Sequence, residues 1–254
     1  MPNPDREKFF PHKEKTPEKK EVFSEIKEGE EEKEKEIGEI KFFFCEKAKG
    51  PASEIIRGMR QILEFVDKSD AIKIFGSGGA LKQDKEVSLA EVLAKKSFTE
   101  ETEKINLDKL GITLLKLQEK TRGVYTFVFN YPFKRTVYGD TLTHPETGKK
   151  FALLFSTHYF EGIKKREDRN LAFRQLGRHE TGHLLGLVQR ESSSADSRGG
   201  IYKSHCLNLC SMKQSMNVKE VLDLAKMLEK NKIMLCKDCQ QELKDRFSSK
   251  TVYK

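Results

Sequence analysis

The sequence predicts an α/β fold: a twisted mixed sheet with one chemistry-bearing helix packed on it, and a smaller C-terminal part organised by cysteines. Three observations predict it. From residue 39 onward short apolar runs alternate with stretches of helical periodicity. Two capping signatures, Ser88 with Glu91 and Asn217 with Glu220, mark helix starts. Four of the five cysteines fall late in the chain as two close pairs. At 254 residues the length fits one folded domain over 39–254, preceded by a charged tail over 1–38.

That tail is dominated by Glu, Lys and Pro, and its isolated apolar residues Phe23, Ile26 and Ile37 bury too little surface to offset the entropy of ordering. Order is expected to begin with the strand-like run Glu39–Glu46. Pro51 and Ser53 then open a helix whose Ile55, Ile56, Met59, Ile62, Leu63 and Val66 recur at helical spacing. A second short strand follows at Ala71–Phe75. The glycines after it, Gly76, Gly78 and Gly79, lack a phosphate-loop Lys-Ser/Thr and read as a plain turn. Helices are expected from Ser88 to about Lys96 and over Leu107–Leu117, and a strand over Arg122–Phe129. A hairpin-like segment with the turn Pro145-Glu146-Thr147-Gly148 leads into the apolar run Phe151–Phe155, a buried or edge strand. His158 and Tyr159 behind it read as strand-end residues. A long helix from about Asp168 to Leu185 comes next, and Asn217 caps another bearing Val221, Leu222, Leu224, Ala225 and Leu228.

The composition narrows the function classes. No run approaches the roughly 18 apolar residues of a membrane span, and the N-terminus lacks the apolar core of a secretory signal, so a cytoplasmic protein is expected. The net charge of +8 resides in the body, because the first 41 residues carry more acids than bases. Its lysines and arginines are scattered, without a dense block or interleaved aromatics, which argues against a nucleic-acid partner. Cys45, alone in an apolar run, reads as a buried inert thiol.

His179 and His183 stand four apart on the long predicted helix, so both imidazoles leave one helix face and can bind one metal ion. Glu180 follows the first of them. A carboxylate there points at a zinc-activated water without being a ligand, the place of a general base for peptide-bond hydrolysis. Gly186, three after His183, suits a sharp helix end that turns the chain back under the metal. Cys206, Cys210, Cys236 and Cys239 suit a closed tetrahedral site, a structural zinc pinning residues 205–243.

These residues resemble the archaemetzincins, whose pattern HExxHxxGxxH is followed directly by Cys, then by CxM and a later CxxC. His179–Gly186 match its first part, His205-Cys206 the joined His and Cys, Cys210-Ser211-Met212 the CxM, and Cys236–Cys239 with Leu243 the close. Tyr125–Tyr131 and Phe151–Thr157 look like the family's strands before the active-site helix, so the resemblance spans about residues 39–243. It implies a metzincin-like zincin fold, two Zn2+ ions (one catalytic, one structural), a peptide or protein substrate lying along Phe151–Thr157 as an edge strand, and Met212 as the methionine turn beneath the catalytic metal. Two departures stand out. Gln189 occupies the position of the third histidine, and a polar segment precedes His205; His205 is the expected third ligand, with Gln189, Glu191 or Asp196 as the alternatives. The spacing from Cys206 to Cys210 is one residue short of the pattern. The competing reading from another class is a catalytically inactive, zinc-stabilised binding or regulatory protein, which has no need of Glu180.

Overall fold

The computed structural model describes residues 38–76, 88–99, 102–118, 123–135, 137–188 and 205–247. The charged tail up to residue 37, the glycines after Gly76, and the polar segment with Gln189, Glu191 and Asp196 lie outside the described residues. In chain order the elements are β1 (Ile40–Phe44), α1 (Lys49–Leu63), β2 (Ile72–Gly76), α2 (Leu89–Lys96), β3 (Phe98–Thr99), β4 (Thr102–Ile105), α3 (Leu107–Gln118), β5 (Val124–Phe129), β6 (Gly139–Thr143), β7 (Lys150–Ser156), α4 (Arg166–Leu184), α5 (Val218–Asn231) and α6 (Lys237–Phe247). The fold is α/β with a mixed sheet, as the alternation of patterns predicts.

Five strands form the main sheet in the order β2-β1-β5-β7-β6. The first four run parallel, and β6 joins antiparallel to β7 at the edge. The inner strands β1, β5 and β7 are near-continuous apolar runs because both their faces are covered: Phe42, Phe127, Phe129 and Phe155 are fully buried, whereas the edge strand β2 leaves Ile74 and Phe75 exposed. Gly139-Asp140-Thr141-Leu142-Thr143 is polar, as befits an edge strand. This corrects one expectation. Phe151–Thr157 is not an edge: β7 is hydrogen-bonded on both sides, because the hairpin through Gly148, whose φ is +67°, folds β6 back along its outer side.

Both capping signatures form. Ser88 Oγ accepts from the Glu91 amide at 3.0 Å, and Asn217 Oδ1 from the Glu220 amide at 2.9 Å. The β3–β4 pair and α6 were not foreseen: the first is too short to leave a pattern, and α6 buries only Cys239 and Leu243. The structural contact that matters most for the site is α1 against α4. A Cβ on Gly58 would lie 2.0 Å from the Arg174 carbonyl oxygen, and one on Gly177 would lie 2.3 Å from that of Ile55. The two helix backbones therefore touch through a reciprocal pair of glycines, which sets the depth of α4 against the rest of the core. Around that crossing Arg174 bonds Glu54 at 2.7 Å, and the buried Arg178 bonds Gln61 and Glu229, each at 2.8 Å, tying α4 to α1 and α5. No helix among the described residues is long and apolar enough to cross a membrane.

Candidate metal centre

His179 and His183 lie one turn apart on α4, and their Nε2 atoms are 3.2 Å from each other. His205, on the far side of the undescribed segment, brings its Nε2 to 3.2 Å from that of His179. Tetrahedral bonds of about 2.0–2.1 Å to zinc separate neighbouring nitrogens by about 3.3 Å, so the spacing fits an ion held by the three rings. The tautomer fits as well. His179 Nδ1 lies 2.8 Å from the Ser211 carbonyl oxygen, which can only accept, so the proton is on Nδ1 and the Nε2 lone pair faces the other rings. Burial first, and then His205, lower the His179 imidazole to about 4, while burial and the other two rings hold His183 well below its ordinary range. Neutral rings are the ligand form.

The end of α4 sets the chain's return. Gly186 (φ +74°) follows the last helical turn, its amide bonds the His183 carbonyl at 3.0 Å, and the Leu187 amide bonds that of Gly182 at 2.9 Å. These are the two hydrogen bonds of a Schellman stop, which leaves the chain heading away immediately after His183. Met212 packs against the same turn, since a Cβ on Gly182 would lie 2.1 Å from its sulfur. The Ser211 carbonyl also accepts from Gln175 Nε2 at 2.9 Å, so a residue one turn before His179 steadies the group that orients it.

Glu180 is buried on the adjacent wall. Thr141 on β6 donates its hydroxyl to Glu180 Oε2 at 2.9 Å, and a Cβ on Gly139 would lie 2.6 Å from Oε1. The edge strand thus supplies a hydrogen bond to one oxygen and clearance for the other. Burial, with Asp140 as a secondary cause, pushes the carboxyl up to about 8. Together these groups line a cavity of about 470 Å³ that includes His179, Glu180, His183 and His205.

The four late cysteines also converge. Cys206 and Cys236 sulfurs are 3.7 Å apart, and those of Cys210 and Cys239 3.6 Å. Bonds of about 2.3 Å to a tetrahedral zinc require about 3.75 Å, so this donor set fits too. Cys206, Cys210 and Cys239 are buried, and none of the four lines the cavity. Cys236 and Cys239 flank the start of α6, where helix amides favour thiolate, and the Cys236 amide points at Cys210 Sγ at 3.4 Å. Hydrogen bonding from Cys210 lowers Cys206 to about 2 and Cys236 to about 6, while Cys210 itself is raised by its three sulfur neighbours.

No family model and no curated protein matches the chain. Among solved structures its fold is similar to that of archaemetzincin from Methanopyrus kandleri, with a TM-score of 0.52 and 13% identity over 84% of this chain and 96% of that one. The fold is archaemetzincin-like.

Within this archaemetzincin-like fold all eight residues singled out by sequence fall into two clusters. His179, Glu180, His183 and His205 share the cavity, and Cys206, Cys210, Cys236 and Cys239 gather beside it. His158 and Tyr159 are elsewhere: His158 sits 3.8 Å from Glu161, and the Tyr159 hydroxyl bonds the Phe133 carbonyl at 3.0 Å. Cys45 is fully buried, and burial pushes its thiol up. Sequence reasoning missed Gly139, Thr141, Gln175 and Lys150. Their role comes from strand pairing and helix phase, and only Gln175, four before His179, carried any signal.

Proposed function

We propose that this protein is a zinc-dependent metallopeptidase that binds one Zn2+ through His179, His183 and His205 and a second, structural Zn2+ through Cys206, Cys210, Cys236 and Cys239. Glu180 carries the reading: a buried carboxylate beside three convergent imidazoles, opening on a cavity, is a feature that a binding protein does not need. The archaemetzincin-like fold supports it further. Zinc bound among the imidazoles supplies Lewis acidity, bringing the pKa of a ligand water to about 7 and polarising a peptide carbonyl. The chain's own groups do the rest. Glu180 accepts the proton of the attacking water and delivers it to the departing amine nitrogen. Thr141 occupies Oε2, which leaves Oε1 as the basic atom. Ser211 holds the His179 ring in the liganding tautomer, and Leu176 and Val221 form an apolar part of the cavity wall.

Metal content and hydrolysis of a peptide library test this, comparing wild type with Glu180→Gln and His205→Ala. Two zinc ions in the wild type, an activity loss of about 10²–10⁴-fold in Glu180→Gln with both ions retained, and one ion in His205→Ala are expected. Two ions with no cleavage of any peptide would instead favour the zinc-stabilised binding protein.

A further inference from the structure

The cavity wall contains charged groups that the proposed reaction leaves unused, and Lys150 stands nearest the chemistry through its strand. Lys150, the first residue of β7, lines the cavity with Glu180 and His183, and it makes no ion pair among the described residues. Its position depends on an irregularity. Along the hairpin Gly139 pairs with Phe155, Thr141 with Leu153 and Leu142 with Ala152, but Thr143 pairs with Lys150. Phe151 is the extra residue of a β-bulge. Strict alternation would put Lys150 on the face opposite Leu153. The bulge turns it onto the face of Thr141 and Thr143, toward α4.

Thr143 lies two residues beyond Thr141, the partner of Glu180, which is about 7 Å along the strand. Lys150 therefore stands within one or two substrate residues of the reacting bond. Val137 and Tyr138 precede the Gly139 end of β6 in the cavity wall, while Thr143 and Lys150 line it at the other end of that strand. The other charged groups on the wall are Asp140, Glu180 and Lys213. Burial lowers the Lys150 ammonium, with Glu180 opposing and Arg246 reinforcing that effect, so the cation is partly desolvated without an ion-pair partner. A partly desolvated ammonium in a concave site attracts an anion more strongly than one in bulk water.

We infer that Lys150 is a specificity-determining residue that anchors a carboxylate of the substrate, so that the cavity selects peptides presenting either a free C-terminus or an acidic side chain one or two residues from the cleaved bond. The inference rests on the peptidase reading for its substrate class, but not for its binding step.

The test uses the zinc-loaded full chain and two pairs of otherwise identical peptides: free acid against C-terminal amide, and internal Glu against Gln. Cleavage is measured as kcat/KM, and binding by calorimetry on Glu180→Gln. The free acid or the Glu peptide should exceed its neutral twin by about tenfold in both readouts. Which pair responds distinguishes a terminal from a side-chain carboxylate. Lys150→Met should erase that ratio with zinc content unchanged, and Lys150→Arg should keep most of it. If Lys150 serves only to keep Glu180 ionised, Lys150→Met lowers all four peptides equally and the inference falls. It also falls if neither pair shows a ratio in the wild type, or if the ratio survives in Lys150→Met. Carboxylate-dependent binding without cleavage of any peptide would leave the anchor standing and remove the peptidase reading.

Discussion

The histidine and cysteine clusters overlap in sequence, with Cys206 directly after His205, yet one faces a cavity and the other is sealed from it, with Cys236 alone part-exposed. The difference lies in where the donors come from. Two of the three imidazoles project from one rigid helix, so their separation is set by α4 alone, and the third arrives from a loop. Three donors would leave a tetrahedral ion one open position, as the proposed hydrolysis needs. The four thiols come from two short loops and the start of α6, and their sulfurs all lie within 4.8 Å of one another. Two of the imidazoles are therefore set by one helix, whereas the thiols bring together two loops and α6. The Cys210-Ser211-Met212 segment joins them, because Cys210 belongs to the sealed cluster, Ser211 orients His179, and Met212 packs under Gly182.

The largest expected effect would break this asymmetry if it failed. Cys210→Ser should remove the sealed site, and since structural zinc contributes roughly 10–16 kcal/mol in zinc-finger peptides, cooperative unfolding should be lost together with metal at both sites. His183→Ala should lose one ion and shift the melting temperature by only a few degrees. Circular-dichroism melts with metal analysis read both variants. Retention of histidine-site zinc at unchanged affinity in Cys210→Ser would mean the clusters are independent.

A smaller effect is expected within the cavity. Gly139→Ala forces the Glu180 carboxylate out of its place on β6, so kcat should fall by about 10–100-fold with both ions retained, as expected for a misplacement of about 1 Å. Thr141→Val removes one hydrogen bond to Glu180 Oε2, worth at the low end about 1.5 kcal/mol to a charged acceptor, so about a tenfold loss in kcat is expected. Stopped-flow cleavage of one reference peptide ranks the two variants.

The smallest effect is expected with zinc removed from the histidine site and retained by the cysteines. The Glu180 carboxyl is raised to about 8, so its protonated form favours the folded state and that contribution is lost as pH rises from 4.5 through 8. His179, lowered to about 4, works in the opposite sense, its contribution being present above 6.5 and lost as pH falls through 4. Between pH 6.5 and 8 the Glu180 contribution falls while the His179 contribution is already complete, so with zinc kept on the cysteines stability should decline more steeply in the wild type than in Glu180→Gln. Chemical denaturation at stepped pH reads the slope. An equal slope in both proteins would assign it to another group.

Much of this molecule is local in origin and therefore legible in the chain. The i, i+4 spacing of His179 and His183, the glycine stop at Gly186, the caps at Ser88 and Asn217, and the apolar runs of β1, β5 and β7 each follow from short-range sterics and periodicity. The third ligand is less legible: the polar segment after Gln189 leaves His205 to be weighed against Gln189, Glu191 and Asp196.

What the sequence by itself determined is the mixed α/β class, the helix that presents two imidazoles and Glu180, and the two groups of metal-type donors. Only the tertiary structure decided which strand lies at the edge, that Gly139 and Thr141 cradle Glu180, that Gln175 and the Ser211 carbonyl steady His179, and that a bulge at Phe151 turns Lys150 into the cavity. The physical reason is one of range: caps, turns and helix faces are settled within a few residues, whereas strand order, register and the meeting of residues about 40 positions apart are settled by packing the whole core.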